Sequence, residues 1–128
     1  MLGYVMVGTN DIDKAAKFYD TLFAAMGAKR EMEYPDFILW DLGEGKTNFS
    51  ITKPYDGKAA CIGNGSMNAF YVTSNDEVDR LYALAMELGA SDEGVPGKRE
   101  FDENFYAGYF RDLDGNKLNF FHYPMGLD

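Results

Sequence analysis

The sequence predicts an α+β fold in which two β-α-β-β-β modules pair into one domain over residues 1–128. Three observations predict it. The segment "TNDIDKAAKFYDTLFAAMGA" at residues 9 to 28 is answered by "SNDEVDRLYALAMELGA" at 74 to 90. A β-rich run precedes each of these helical segments, and three shorter β-rich pieces follow each. One module of roughly 60 residues leaves a sheet face uncovered, so the two are expected to pair.

The first strand is read in "LGYVMVGT", residues 2 to 9. Ile12, Ala15, Ala16, Tyr19, Leu22, Phe23 and Met26 then fall on one helical face. Asn10 is the expected N-cap, because its side-chain oxygen can accept from an unpaired first-turn amide. Gly27 suits the left-handed position that ends the helix. Strands are expected near 29–34, 36–42 and 47–53, separated by the turn signals "YPD" and "GEG". Module one therefore covers about 1–60, with a junction in "YDGKAACIGNG", residues 55 to 65.

Module two, about 66–128, repeats the plan. "MNAFYVT" reads as its first strand, and Ser74 with Glu77 forms an S-x-x-E capping-box pattern. Val78, Leu81, Tyr82, Ala85 and Leu88 make the helical stripe, and Gly89 stops it. Strands follow near 90–95, 105–111 and 116–123, with "DLDG" marking the last turn. The segment "SDEGVPGKREFDEN", residues 91 to 104, holds seven charged side chains, two glycines and a proline. It reads as a solvated loop placed where a lid would lie, and its Lys98 and Arg99 could meet an anionic group.

Composition excludes several function classes. Apolar residues are 46% and aromatics 16%, which is incompatible with intrinsic disorder. The net charge of −9, from 21 acidic and 12 basic side chains, opposes binding to nucleic acid or anionic membranes. It suits a neutral or cationic small molecule. Cys61 is the only cysteine, so neither an intrachain disulfide nor a thiolate-rich metal site can form. "MLGYVMVGTND" lacks the basic start of a signal peptide, and no apolar run nears the ~20 residues that span a bilayer. A soluble cytoplasmic protein is expected.

Two stretches carry a family resemblance: "GYVMVGTNDIDKAAKFYDTLF" at 3 to 23 and "YAGYFRDLDGNKLNFF" at 106 to 121. They resemble the opening strand and helix, and the closing hairpin, of the vicinal oxygen chelate superfamily. That superfamily includes glyoxalases, bleomycin-resistance proteins and extradiol dioxygenases. Leu113 stands where its closing motif usually has proline. The resemblance implies a glyoxalase-like fold with a cup-shaped sheet, homodimerisation, and four inward side chains that hold a divalent metal. Those four positions match Tyr4, Ser50, Met67 and Asn119 here. None carries the imidazole or carboxylate that such a metal needs, so no metal and no other cofactor is expected.

Strand alternation extends the expected lining. It adds Met6 to Tyr4, Thr52 to Ser50, Ala69 and Tyr71 to Met67, and Phe121 and Tyr123 to Asn119. Aromatics and methionines with a few polar groups suit a flat, moderately apolar ligand; they could also simply fill the space. The same alternation turns the lone His122 toward the helices with Leu118 and Phe120, which makes it structural. Trp40 is expected in core or dimer packing. No Ser-His-Asp or Cys-His arrangement can be built. Three readings stay open: a metal-free protein binding a small molecule in the cup, like the bleomycin-resistance type; a glyoxalase-type lyase, isomerase or dioxygenase with a non-standard site; or a small interaction domain with a filled core.

Overall fold

Backbone contacts divide the chain into two units, Met1–Ile62 and Gly63–Asp128. The computed structural model describes residues 1–124, so residues 125–128 of the expected second module lie outside it. Among the described residues no helix is long and apolar enough to cross a membrane.

In unit one the order is β1 (Tyr4–Gly8), α1 (Ile12–Ala24), β2 (Lys29–Tyr34), β3 (Phe37–Asp41) and β4 (Asn48–Thr52). The strands form one sheet in the order β1-β4-β3-β2, with β1 and β4 parallel and the other pairs antiparallel. The predicted stripe of α1 is buried at Ile12, Ala15, Ala16, Tyr19, Leu22 and Phe23, and Phe18 joins it. It packs on the sheet face that carries Trp40, Phe49 and Ile51, all fully buried. Tyr19 and Phe49 rings lie 4.9 Å apart, and Phe23 meets Trp40 edge-on at 5.5 Å. Each such ring pair adds about 0.5–1.5 kcal/mol beyond the area it buries.

A polar clasp fastens α1 to the far strands. Arg30 donates from Nε and Nη2 to both carboxylate oxygens of Asp20, at 2.9 and 2.7 Å. The buried Trp40 indole donates to the same Asp20 at 3.0 Å. Burial alone raises the Asp20 carboxyl, but the Arg30 and Trp40 hydrogen bonds outweigh it and hold the group below its ordinary value.

The helix start differs from the expected cap. Asp11 is the N-cap and accepts from Lys14 N at 3.1 Å. Asn10 is instead committed to the junction, where it donates to Ala60 O and accepts from Ala60 N. Gly27, at φ +80°, does take the left-handed position expected of it.

Unit two runs β5 (Asn68–Tyr71), α2 (Asn75–Glu87), β6 (Ser91–Arg99), β7 (Asp102–Arg111) and β8 (Lys117–His122), with sheet order β5-β8-β7-β6. Val78, Leu81, Tyr82 and Ala85 of α2 are buried, as are Phe110, Leu118 and Phe120 of the sheet. Ser74 caps α2 by accepting from Glu77 N at 3.1 Å. The reciprocal half of the capping box is missing, because Arg80 takes both carboxylate oxygens of Glu77.

The charged segment 91–104 corrects a second expectation. It is largely β-structure: β6 pairs antiparallel with β7 and is interrupted by three register shifts. Its composition is what an edge strand uses, since charges, proline and bulges discourage further pairing. Two tyrosines latch the hairpin to α2, with Tyr82 Oη donating to Asp92 and Tyr106 Oη to Asp79, both at 2.6 Å. Burial first, then the Asp92 bond, pushes the Tyr82 hydroxyl up to about 12. The Asp79 bond first, then burial, does the same to Tyr106.

Asp20→Ala should lower stability by about 1–2 kcal/mol in urea unfolding, since it strands the Trp40 indole N–H and frees a partly solvated Arg30. Because the folded carboxyl titrates below 3.8, its contribution is complete above that value and fades as pH falls through the lower folded value. The curves of Asp20→Ala and the parent chain should therefore converge in acid. A gap that persists undiminished in strong acid would contradict this role.

Candidate functional site

In each unit the helix covers one sheet face, and the expected site residues sit on the other. Phe49 and Ile51 point at α1, so Ser50 between them points away. The register Met6↔Ser50 places Met6 beside it, and Tyr4 two residues earlier shares the face. Tyr4 and Met6 are 56% and 54% exposed. Ser50 is fully buried and donates from Oγ to Val5 O at 2.8 Å, so its hydroxyl proton is already in use.

Unit two gathers its predicted residues more closely. Ala69↔Asn119 and Tyr71↔Phe121 are register partners on β5 and β8, which puts all four on one face. The Tyr71 and Phe121 rings meet edge-on at 5.6 Å. Met67 lies just before β5 and is exposed. Asn119 is only 1% exposed, and its Oδ1 is enclosed without a hydrogen-bond partner among the described residues. An enclosed, unpaired amide oxygen costs about 1–3 kcal/mol, so this position is a local sacrifice of stability.

His122 lies where the alternation puts it, on the α2 side beside Phe120, with Nδ1 3.3 Å from Asn75 Oδ1 of α2. Trp40 is core, as expected. Three neighbours of Asn119 and Phe121 were not foreseen, namely Phe105, Tyr109 and Lys117, while Arg99 was expected as a cation of a solvated loop that could meet an anionic group. Phe105 stacks on Phe121 at 5.3 Å, and Tyr109 is the register partner of Asn119. Arg99 and Lys117 both lie against the Tyr109 ring. The alternation of "FYAGYF" along β7 carries the signal for Phe105 and Tyr109. Lys117 is legible from β8 in the same way. Arg99 is legible as a cation that could meet an anion, but its seat on Tyr109 is not, because the register shifts of β6 decide where it goes. A separate concavity of about 730 Å³ lies on the helix side of unit one, between Ile12, Lys17, Arg30 and Tyr34. It contains none of the expected site residues.

The four metal positions implied by the resemblance do not fit a divalent ion. Tyr4 and Met67 offer a neutral phenol and a thioether, Ser50 is bonded to backbone, and Asn119 offers one amide oxygen. Among the described residues no group of three or more His, Cys, Asp or Glu side chains is placed to hold a metal.

Comparison with known proteins agrees with this fold. Residues 1–120 match the family model described as the Glyoxalase/Bleomycin resistance protein/Dioxygenase superfamily. A glyoxalase/bleomycin resistance protein from Albidiferax ferrireducens T118 is 34% identical, with a TM-score of 0.86 over 97% of this chain and 99% of that one. A glyoxalase/bleomycin resistance protein/dioxygenase family enzyme from Burkholderia phytofirmans PsJN is 21% identical, with a TM-score of 0.75 over 94% and 96%. A lactoylglutathione lyase from Agrobacterium tumefaciens is 18% identical, with a TM-score of 0.73 over 95% and 92%. The last two show likeness of fold alone. No curated protein matches the chain.

Asn119→Leu should raise the melting temperature by a few degrees, because a similar apolar volume replaces an unpaired buried oxygen. A loss of more than about 1 kcal/mol in urea unfolding would mean that the amide is satisfied in solution.

Proposed function

The chain belongs to the glyoxalase/bleomycin resistance protein/dioxygenase superfamily, and from that premise we propose that it binds a small flat molecule against β5 and β8 without a resident divalent metal. Asn119 carries the reading. A buried amide oxygen that accepts nothing among the described residues is retained at a cost, and a ligand's N–H or O–H is the partner that would offset it. Ala69, its register partner, is exposed and brings only a methyl group to that face. The half-buried rings of Tyr71 and Phe121 then turn aside to admit the guest and stack on it.

The family resemblance assigns ligand-facing positions to Met67 in unit two and, on unit one's own uncovered sheet face, to Tyr4, Met6 and Ser50, of which Tyr4 and Met6 have exposed side chains. Their exposed apolar surface also supports association into a homodimer, which a solution mass at micromolar concentration would test. The alternative of a glyoxalase-type lyase, isomerase or dioxygenase needs metal donors or an acid–base pair that these positions do not supply.

In a thermal-shift screen of planar aromatic metabolites, at least one class should stabilise the chain, and Phe121→Ala should weaken its binding about tenfold. His122→Ala should leave that affinity unchanged. Elemental analysis after purification without chelator should find Ni, Zn, Fe and Mn all well below stoichiometric. A full equivalent of any of them would overturn the metal-free assignment.

A further inference from the structure

The overall charge of −9 points to a neutral or cationic guest, but the charges nearest Asn119 point the other way. The Arg99 guanidinium carbon lies 5.0 Å from the Tyr109 ring centroid, and Lys117 Nζ lies 5.7 Å from the same centroid. Tyr109 faces Asn119 in register, and Lys117 precedes Asn119 by two residues on β8, so it shares the face. Unit two's other arginines are matched, Arg80 to Glu77 and Arg111 to Glu93. Among the described residues no carboxylate lies within ion-pair distance of Arg99 or Lys117, although the Asp92 carboxyl, lowered first by its Tyr82 bond, also feels the Arg99 charge.

Each cation gains only the attraction of the ring's quadrupole, which leaves its charge unneutralised. An anion beside the ring would neutralise that charge. Arg99 is also fixed in advance: its Nη2 is held by the carbonyls of Gly94, Val95 and Ala107, at 3.3, 2.9 and 2.6 Å. A guanidinium already ordered by its own hairpin loses little entropy on meeting a ligand.

We infer that the guest carries an oxyanion, a carboxylate, sulfonate or phosphate, which Lys117 and Arg99 seat beside Tyr109 while a donor on the same molecule meets Asn119 Oδ1. The inference rests on the reading that this face of β5 and β8 takes a flat guest. The ligand class is therefore a planar aromatic acid bearing an N–H or O–H near its ring. The cations set which end of the molecule lies toward β7, and Phe121 with Tyr71 holds the ring.

Two dyes that share a ring system and an N–H separate the two readings. 1-Anilinonaphthalene-8-sulfonate carries the anion, and N-phenyl-1-naphthylamine lacks it. In fluorescence titrations of the full chain, the sulfonate should bind about tenfold tighter than the neutral dye, the gain of one charged hydrogen bond. Lys117→Gln should abolish that preference by weakening the sulfonate's binding about tenfold, and Lys117→Arg should restore it. Added salt should narrow the gap. Equal affinities in the parent chain, or a preference that survives Lys117→Gln, would overturn the oxyanion inference while leaving the flat-guest reading intact. If neither dye binds, or if neither responds to Phe121→Ala, both readings fall.

Discussion

Each sheet packs one face against its own helix, and the two-residue alternation of strands turns that packing into an assignment of roles. In β4, Phe49 and Ile51 go to the helix and Ser50 does not. In β8, Leu118 and Phe120 go to the helix while Asn119 and Phe121 do not. A shift of one residue in either strand would exchange the two sets and expose the aromatic core. The burial of Phe49, Ile51, Leu118 and Phe120 therefore holds Ser50 and Asn119 on the opposite faces.

Those opposite faces are chemically unlike. In unit one the face is apolar and largely exposed at Tyr4 and Met6, and its one well-buried hydroxyl, that of Ser50, is spent on backbone. In unit two it combines a ring stack, a buried amide and two cations around Tyr109. Among the described residues the enclosed Asn119 Oδ1 has no hydrogen-bond partner, and neither Arg99 nor Lys117 forms an ion pair. The enclosed oxygen carries a cost that packing alone does not offset. The proposed guest is the kind of group that would satisfy both the amide and the cations.

The hairpin of β6 and β7 shows how polar side chains can build structure that composition conceals. Its charges leave the backbone free to pair with β7, and its bulges bring Arg99 back over its own carbonyls. Tyrosine hydroxyls from α2 and β7 then fasten it, with Tyr82 reaching Asp92 and Tyr106 reaching Asp79. Each carboxylate accepts a short bond from a phenol that stays protonated at any physiological pH. Fastened in this way, the hairpin supplies a fixed cation to the face, which a mobile loop could not do at comparable entropic cost.

Much of this was legible in the residues themselves. The doubled β-α-β-β-β order, the helical stripes, the glycine stops and the sheet face shared by Ala69, Tyr71, Asn119 and Phe121 follow from periodicity and turn chemistry, which are local properties. The helix-side placement of His122 follows from the same alternation, whereas Tyr4, Ser50, Met67 and Asn119 were singled out by the family resemblance and their poor metal chemistry by residue type. Competing partners decided the rest. Asn10 had a second use in Ala60, which handed the cap to Asp11, and Arg80 drew Glu77 out of its capping box. The charged run at 91–104 became strand because β7 was there to pair with it. The gathering of Arg99 and Lys117 on Tyr109 depends on register shifts that no spacing announces. Sequence alone determined which side chains share a face, because alternation is intrinsic to the backbone. Tertiary structure decided which of them stay unsatisfied, because a hydrogen bond or ion pair is completed only when a distant partner arrives.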